Sequence, residues 1–367
     1  MLPGLYVHIP FCRSKCPYCS FYSIPSSTPM DGWFDGLKRE VLYQKDLLGR
    51  FDSLYLGGGT PTFLNTKMLE QVMASLLDHF HLTPDAEITI EANPCDITRR
   101  KADALKALGF NRINLGVQSF NDNVLKFLGR RHSSENAENA VGHLRSAGFK
   151  NIGLDLIYGL KAQSMKEWIV ILKKALSFQP EHLSCYQLTL EKGTVFDRRS
   201  RQKNMITLPE KTAAAHFLAT SSFLENKGYI HYEVSNFARD ERLESRHNLK
   251  YWSHTPYLGL GPSAHSFDGK KRWWNIRSVK KYRSALNEGR LPIEGRETLT
   301  KEQRHLESLA LGFRTRRGVD LESLDATSEK ALVMLQKQGL LKIINGRAVP
   351  TRRGYLLADH LPLCFSP

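Results

Sequence analysis

The chain has 367 residues, 41% of them hydrophobic and 24% charged, with 52 Lys and Arg against 37 Asp and Glu, a net charge of +15. That length holds one large domain with small appendages, the apolar content is ordinary for a buried core, and no run approaches the roughly 18 apolar residues of a membrane-spanning helix. The positive balance suits nucleic acid, a membrane surface or an acidic small ligand, or a merely solvated basic face.

Met1 to Phe11 lacks the basic stretch and long apolar stretch of a secretory signal, so a cytoplasmic location is expected. A first apolar, β-branched run, Leu5–Ile9, leads into a cysteine-rich loop. Ser53–Leu56 runs into Gly57-Gly58-Gly59-Thr60-Pro61. Leu69, Val72, Met73, Leu76, Leu77 and Phe80 then follow the i, i+3, i+4 spacing of one buried helical face. After Glu87–Glu91, Thr98 is placed to N-cap a helix that stops before Gly109. Arg112–Val117 and Ile152–Ile157 are further strands. Ser164 and Glu167 form a capping box after the second. His182–Leu188 is the sixth strand, and Thr207 with Glu210 repeats the capping-box spacing before a helix ending near Lys227-Gly228. Alternation of six strands with helices to about residue 230 predicts an α/β fold with a parallel sheet, an open (β/α)6 partial TIM barrel. Such barrels carry their chemistry at the C-terminal ends of the strands.

Three segments follow: a core over 1–230, a His-, Trp- and Tyr-rich linking segment over 231–298 with weak periodicity, and a tail over 299–367. The densest basic stretch, Lys270 to Arg283, lies in the second. In the tail, Thr300 and Gln303 form a capping box. Glu329–Gln338 reads as a helix, followed by a Leu340–Ile344 strand, an Asn345-Gly346 hairpin turn and a strand at Val349. The tail is thus an α+β, winged-helix-like appendage.

Chemistry is concentrated in Cys12-Arg13-Ser14-Lys15-Cys16-Pro17-Tyr18-Cys19, a C-x3-C-x2-C loop directly after the first strand. Thiolates hold iron–sulfur clusters. Three on one tight loop leave one iron of a [4Fe–4S] cube open to an amine and a carboxylate. A zinc site wants four ligands, commonly in paired C-x2-C spacing, and no second pair follows. A disulfide framework would spread its cysteines through a small secreted chain.

The glycine turn one βα unit later lets backbone approach a ligand closely. Polar residues mark the later strand ends. Glu91 closes the third strand and Gln118 the fourth, with Arg130 about one helix further on. Asp155 lies within an otherwise apolar strand, where a carboxylate is costly unless partnered. Pairing with a basic residue would explain Asp155 structurally; binding ribose hydroxyls or an amino acid would explain it functionally.

The sequences YVHIPFC, the three-cysteine loop, GGGTP, IEANP, GVQSF, LGR and DLIYGL occur in order. Together they resemble the radical SAM family of anaerobic coproporphyrinogen III dehydrogenase (HemN) and its relative HemW, a haem chaperone. The resemblance covers nearly the whole chain. It implies a [4Fe–4S] cluster on Cys12, Cys16 and Cys19, and S-adenosylmethionine flanked by Tyr6 and Tyr18. Gly58, Gly59 and Thr60 would hold its methionine end. Glu91, Gln118, Arg130 and Asp155 would complete the site, with Thr189 near the adenine or ribose. Two departures point to the chaperone branch. Phe21 stands where the dehydrogenase type has a further cysteine, and the first strand begins at about residue 5, where that type carries an N-terminal extension. The H-N-x-x-Y-W pattern in Arg246–Trp252, followed by GLGPSAH, resembles the same branch. Leu160-Lys161-Ala162-Gln163 departs from relatives that carry proline and glycine there.

Imidazole is a common axial ligand of haem iron. His247, with Tyr251 and Trp252 beside it, is the candidate haem ligand; His254 and His265 are weaker ones. The expected function is a haem chaperone that binds haem and passes it to an acceptor, with a respiratory cytochrome as the candidate. An electron donor would serve the cluster, and a homodimer is compatible with this reading. The alternative is radical oxidative decarboxylation of coproporphyrinogen, in which the cofactor carries the chemistry and the protein orients. A nucleic-acid-modifying enzyme is a third reading, but aromatic and basic residues are not interleaved as in an RNA platform, and no nucleic-acid partner is expected.

Overall fold

A computed structural model describes residues 1–25, 30–202, 207–324 and 328–365. The chain begins with β1 (Gly4–Ile9), a short parallel pair β2 (Phe11–Cys12) and β3 (Ile24–Pro25), α1 (Asp31–Gln44), β4 (Arg50–Gly58), α2 (Thr66–Leu77), β5 (His81–Ala92) and α3 (Arg99–Ala107). It continues through β6 (Arg112–Gln118), α4 (Asp122–Phe127), α5 (Ser134–Ser146), β7 (Ile152–Tyr158), α6 (Met165–Ser177), β8 (His182–Gln187), α7 (Val195–Arg201) and α8 (Glu210–Glu225). The six long strands β1, β4, β5, β6, β7 and β8 lie side by side, each pair parallel. This is the open (β/α)6 arrangement expected.

The two faces of this sheet differ chemically. Outward-facing Leu5, Val7, Leu54, Leu56, Ile113 and Leu115 are completely buried against the helices in one continuous apolar core. The inner positions alternate with them and are polar: Tyr6 and His8, Ser53 and Tyr55, Glu87 and Glu91, Arg112 and Asn114. Burying the outer row holds the helices onto the sheet, at about 25 cal/mol per Å² of apolar surface removed from water. The polar row leaves an interior built for ligands and hydrogen bonds rather than an oily filling.

Thr98 caps α3 by accepting from the Lys101 amide, and Ser164–Glu167 closes its capping box on α6. Thr207 does not cap α8. That helix starts behind Pro209, whose side chain makes no cap bond, and Thr207 bridges Leu160 instead. The ring of Pro209 fixes its own backbone, and the Leu208 amide is tied to the Gly159 carbonyl at 2.9 Å.

Residues 231–298 extend the same sheet. They form β9 (Ile230–Glu233), β10 (Asn236–Ala238), α9 (Arg246–Trp252), β11 (Tyr257–Leu260), β12 (His265–Phe267), β13 (Lys271–Asn275), α10 (Val279–Asn287) and β14 (Ile293–Thr298). β10 and β9 continue beyond β8, and β11 to β14 continue beyond β1. The ends of the twelve-stranded sheet, β14 and β9, are not paired with each other. Strands of three to six residues are too short to display a period of two, which is why the segment looks irregular in sequence.

The tail carries α11 (Lys301–Gly312), β15 (Val319–Asp320), α12 (Glu329–Lys337), β16 (Leu341–Ile344), β17 (Arg347–Pro350) and α13 (Arg352–Tyr355). Its antiparallel sheet has the order β15-β17-β16. Asn345 and Gly346 both have positive φ, 49° and 72°, the backbone of a type I′ hairpin. The unit has its own apolar cluster around Leu309, Phe313, Leu335 and Phe365. No helix among the described residues is long and apolar enough to cross a membrane.

Candidate cofactor site at the open end of the barrel

The site forms where β1, β4, β5, β6 and β7 end. The cysteine loop leaves β1 through β2 and is locked onto the next βα unit by backbone: the amides of Gly59 and Thr60 donate to the Ile9 and Phe11 carbonyls, both at 2.8 Å. A Cβ at residue 59 would lie 2.7 Å from the Phe11 oxygen, and Gly58 sits at φ +109°. Only glycine permits this approach. It sets Cys12 beside Thr60, Sγ to Oγ1 3.4 Å.

One cavity is lined by Cys12, Cys16 and Cys19 on one side, by Gly58, Gly59 and Thr60 on another, and by Tyr18, Glu91, Gln118, Arg130 and Asp155 around the rest. Eleven of the residues singled out in the sequence therefore share one space. Glu91 accepts from the Tyr55 hydroxyl (2.9 Å) and the Gly58 amide (3.1 Å). Burial pushes its carboxyl up to about 7 despite those bonds, and Asp155 adds to the rise. Burial raises the Asp155 carboxyl as well. Arg130 donates to the Gly116 carbonyl at 2.6 Å and reaches Cys16 Sγ at 3.6 Å. Burial works against its charge, and Tyr18 and Cys16 more than offset that. Gln118 ends β6 at φ +66°, a conformation non-glycine residues adopt rarely and chiefly at functional positions.

Tyr6, Thr189 and His247 lie outside this cavity. Tyr6 is one layer removed: it stacks on Tyr55 and His247, and its hydroxyl pairs with His8 Nδ1 at 3.1 Å. Thr189 is exposed beyond β8 and donates to Glu191 at 3.2 Å. His247 lies apart from the cavity, at the opposite end of the barrel. Its ring is 1% exposed, with Nδ1 on Ser53 Oγ (3.0 Å) and Nε2 on the Tyr251 hydroxyl (2.9 Å). Glu87 holds α9 in place by accepting the first amides of that helix, Arg246 at 3.2 Å and His247 at 3.1 Å. Both imidazole nitrogens are hydrogen-bonded within the protein.

Asn114 and Gly116 are the site residues that sequence reasoning missed. Asn114 donates to Asp155 at 2.7 Å, which supplies the partner that Asp155 needs. The signal was present: Arg112-Ile-Asn-Leu-Gly-Val-Gln118 alternates polar and apolar, so Arg112, Asn114, Gly116 and Gln118 share the inner face.

The residues fit a cluster and an amino-acid-bearing cofactor. Among the described residues, buried Arg130 Nε and Asp155 Oδ1 have no hydrogen-bond partner, and such atoms call for a ligand or water. Among the described residues, no three His, Cys, Asp or Glu side chains converge as for a single metal ion. A cube does not require that, since each thiolate binds a separate iron.

Six parallel strands, a three-cysteine loop after the first and a glycine cradle after the second together define a radical SAM protein. Residues 6–175 match the radical SAM superfamily, and 299–357 match the HemN C-terminal domain. The chain is 34% identical to "Heme chaperone HemW" of Bacillus subtilis, over 98% of both chains. It is 34% identical to the protein of that name from Mycobacterium tuberculosis strain H37Rv, over 97% of this chain and 93% of the other. A solved structure of coproporphyrinogen III oxidase (HemN) from Escherichia coli, described as a radical SAM enzyme, superposes with a TM-score of 0.86 at 27% identity, over 99% of this chain and 90% of that one. The chain belongs to the HemW family of radical SAM proteins. Membership of the superfamily implies a [4Fe–4S] cluster and S-adenosylmethionine.

Proposed function

We propose that the chain is a haem chaperone: it binds haem and transfers it to an acceptor protein, on a core that holds a [4Fe–4S] cluster and S-adenosylmethionine. The observation that carries this is end-to-end identity of 34% with a curated haem chaperone. Locally, Phe21 supports it. At the position where the dehydrogenase type has a cysteine stands an apolar ring, 66% exposed at the rim of the cavity.

Cys12, Cys16 and Cys19 would hold the cluster. When bound, the cluster and its cofactor supply one-electron chemistry. Gly58, Gly59 and Thr60 would receive the amino-acid end of the cofactor through backbone groups that a side chain would block. Arg130 would place a fixed positive charge beside the Cys16 thiolate, and Glu91 and Asp155 would accept from amine or hydroxyl groups. Tyr18, Gln118, Tyr6 and Thr189 complete the assignment, the last two from outside the cavity wall. The working division is a core over 1–230, a segment over 231–298 that closes and extends it, and a C-terminal unit over 299–367. A respiratory cytochrome as acceptor, an electron donor for the cluster, a homodimer and a cytoplasmic setting belong to this reading.

The second reading, oxidation of coproporphyrinogen III, is favoured by the fold match to HemN. Haem titration of the anaerobically reconstituted protein, followed by absorption, separates them. A shifted Soret band without porphyrinogen conversion supports the chaperone; conversion without haem binding defeats it. Replacing Cys12, Cys16 and Cys19 together with serine should abolish the iron–sulfur absorption. A surviving [4Fe–4S] signal would overturn the ligand assignment.

A further inference from the structure

A groove of about 1020 Å³ opens on the surface behind the cysteine loop, walled by α4, α6, α7 and the loop that follows β7. Its floor is apolar, with Val124, Phe127, Leu160, Val170 and Ile171. Phe127 and Val170 are 42% and 58% exposed. Large apolar side chains gathered in one exposed groove mark a contact surface.

The rim is basic. Lys161, Lys166 and Arg199 line the groove against one carboxylate, that of Glu167. Glu167 is already engaged by the Ser164 amide and hydroxyl, at 2.8 and 2.7 Å, in the cap of α6. The acids nearest in sequence are engaged too: Asp197 by Arg201 and the Gly193 amide, and Asp122 by the Ser134 amide. Lys161, Lys166 and Arg199 are exposed and form no ion pair among the described residues. The Arg199 guanidinium rests 6.0 Å over the Phe196 ring. Three unpaired cations around an apolar floor complement an acidic protein surface with an apolar centre.

What lies behind the floor decides the kind of partner. Phe127 packs on buried Phe196 with ring centroids 5.1 Å apart, and Phe196 packs on Tyr18 at 6.4 Å. Tyr18 stands between Cys16 and Cys19. The Phe196 amide donates to the Pro17 carbonyl at 3.0 Å, which ties the start of α7 to the same loop. A Cβ on Gly129, just after α4, would come 2.6 Å from Pro17 Cδ, so the loop rests on that turn as well. The exposed ring of Phe127 is therefore two ring contacts from the loop that carries the cysteines. A cluster that does one-electron chemistry draws its electron from outside the chain. Redox encounters have small interfaces, below about 1,200 Å², and one groove is enough for them.

We propose that this groove docks a small acidic one-electron carrier protein that reduces the cluster. Lys161, Lys166 and Arg199 meet its acidic surface, and Phe127 seats against its apolar centre. One electron leaves the reduced carrier and enters the cluster; the carrier is oxidised, the cluster is reduced, and no bond forms or breaks. This rests on the cofactor reading above and not on what the protein does with haem.

The test uses the full-length, anaerobically reconstituted protein and two acidic probes, flavodoxin and a [2Fe–2S] ferredoxin. Calorimetry reads the affinity for each oxidised probe. Stopped-flow absorption and electron paramagnetic resonance read cluster reduction by each reduced probe. At least one probe should bind and deliver its electron, with affinity and rate falling as salt rises. Lys161→Glu, Lys166→Glu and Arg199→Glu together should lower both at least about tenfold. Phe127→Ala should lower affinity without changing the salt dependence. All four side chains are exposed, and dithionite, a small-molecule reductant, should reduce the cluster of each variant as fast as that of wild type. Unchanged affinity and rate in the triple variant overturn the surface. Reduction of wild type by dithionite but by neither protein probe overturns the proposal and leaves the cluster standing. Binding of a probe without electron transfer assigns the groove to an acidic partner of another kind and overturns it too. A wild type with no reducible cluster removes both the proposal and the cofactor reading beneath it.

Discussion

A histidine's role is decided by what its two nitrogens meet, and His247 shows how. In sequence His247 is conspicuous, with Tyr251 and Trp252 close behind it. In the fold it is a buried link between Ser53 and Tyr251, stacked on Tyr55 at 5.1 Å. Removing it leaves two buried hydroxyls without partners and a cavity between aromatic rings. His247→Ala should therefore destabilise the fold by about 2–4 kcal/mol, measured by urea unfolding at pH 7.5, while leaving the Soret spectrum of bound haem unchanged. Burial, with nearby Lys250 and Arg112, holds the imidazole down to about 3, well below the value near 6.5 of an unfolded chain. The folded state then takes up fewer protons than the unfolded state between those values, so the contribution of His247 is present above pH 6.5 and is lost as pH falls toward 3. The deficit of the variant should therefore shrink as pH falls below about 6.5. A deficit independent of pH would mean that the ring is not kept neutral by burial.

At the scale of elements, the βα units were readable because their strands are long and their helices carry explicit caps at Thr98 and Ser164. The cysteine loop and the glycine turn were readable for a different reason: each is contiguous, so spacing alone carries the chemistry. Asn114 was not read, since a lone amide in a strand gains meaning only when Asp155 of the neighbouring strand pairs with it. The closure of the barrel by α9 was not readable at all. It depends on Glu87 accepting amides from residues about 160 positions away, and no local pattern announces that. The contact between the two legible motifs yields a prediction. Gly59→Ala would force its Cβ against the Phe11 and Ile9 carbonyls and push the cysteine loop off the cradle. The expected outcome is a folded protein, by far-ultraviolet circular dichroism, that reconstitutes well under half of the wild-type iron and sulfide. Full cluster content in this variant would show that the loop tolerates a shift and that the close approach serves something else.

For the whole molecule, the question is how two apolar cores behave as one body. The barrel core and the small cluster around Phe313 are separate, and polar contacts join them. The Val234 amide donates to the Arg314 carbonyl (3.0 Å) and the Arg316 amide to the Tyr232 carbonyl (2.9 Å). Side chains add Arg352 with Glu225, and Arg316 with both Glu241 and Glu244. Most of these ions are well exposed and contribute little singly. Glu244 is the exception, 2% exposed at its side chain and facing two arginines. Glu244→Ala would leave Arg316 with only its exposed partner, a loss of about 1–3 kcal/mol, localised to the seam rather than to either core. Hydrogen exchange should therefore quicken at residues 232–234 and 314–318, while the amides of β4 to β7 keep their protection and the cluster loads normally. Unchanged exchange at the seam would mean that the backbone pairs alone hold the C-terminal unit, and that the buried Glu244 serves only to keep its two arginines in place.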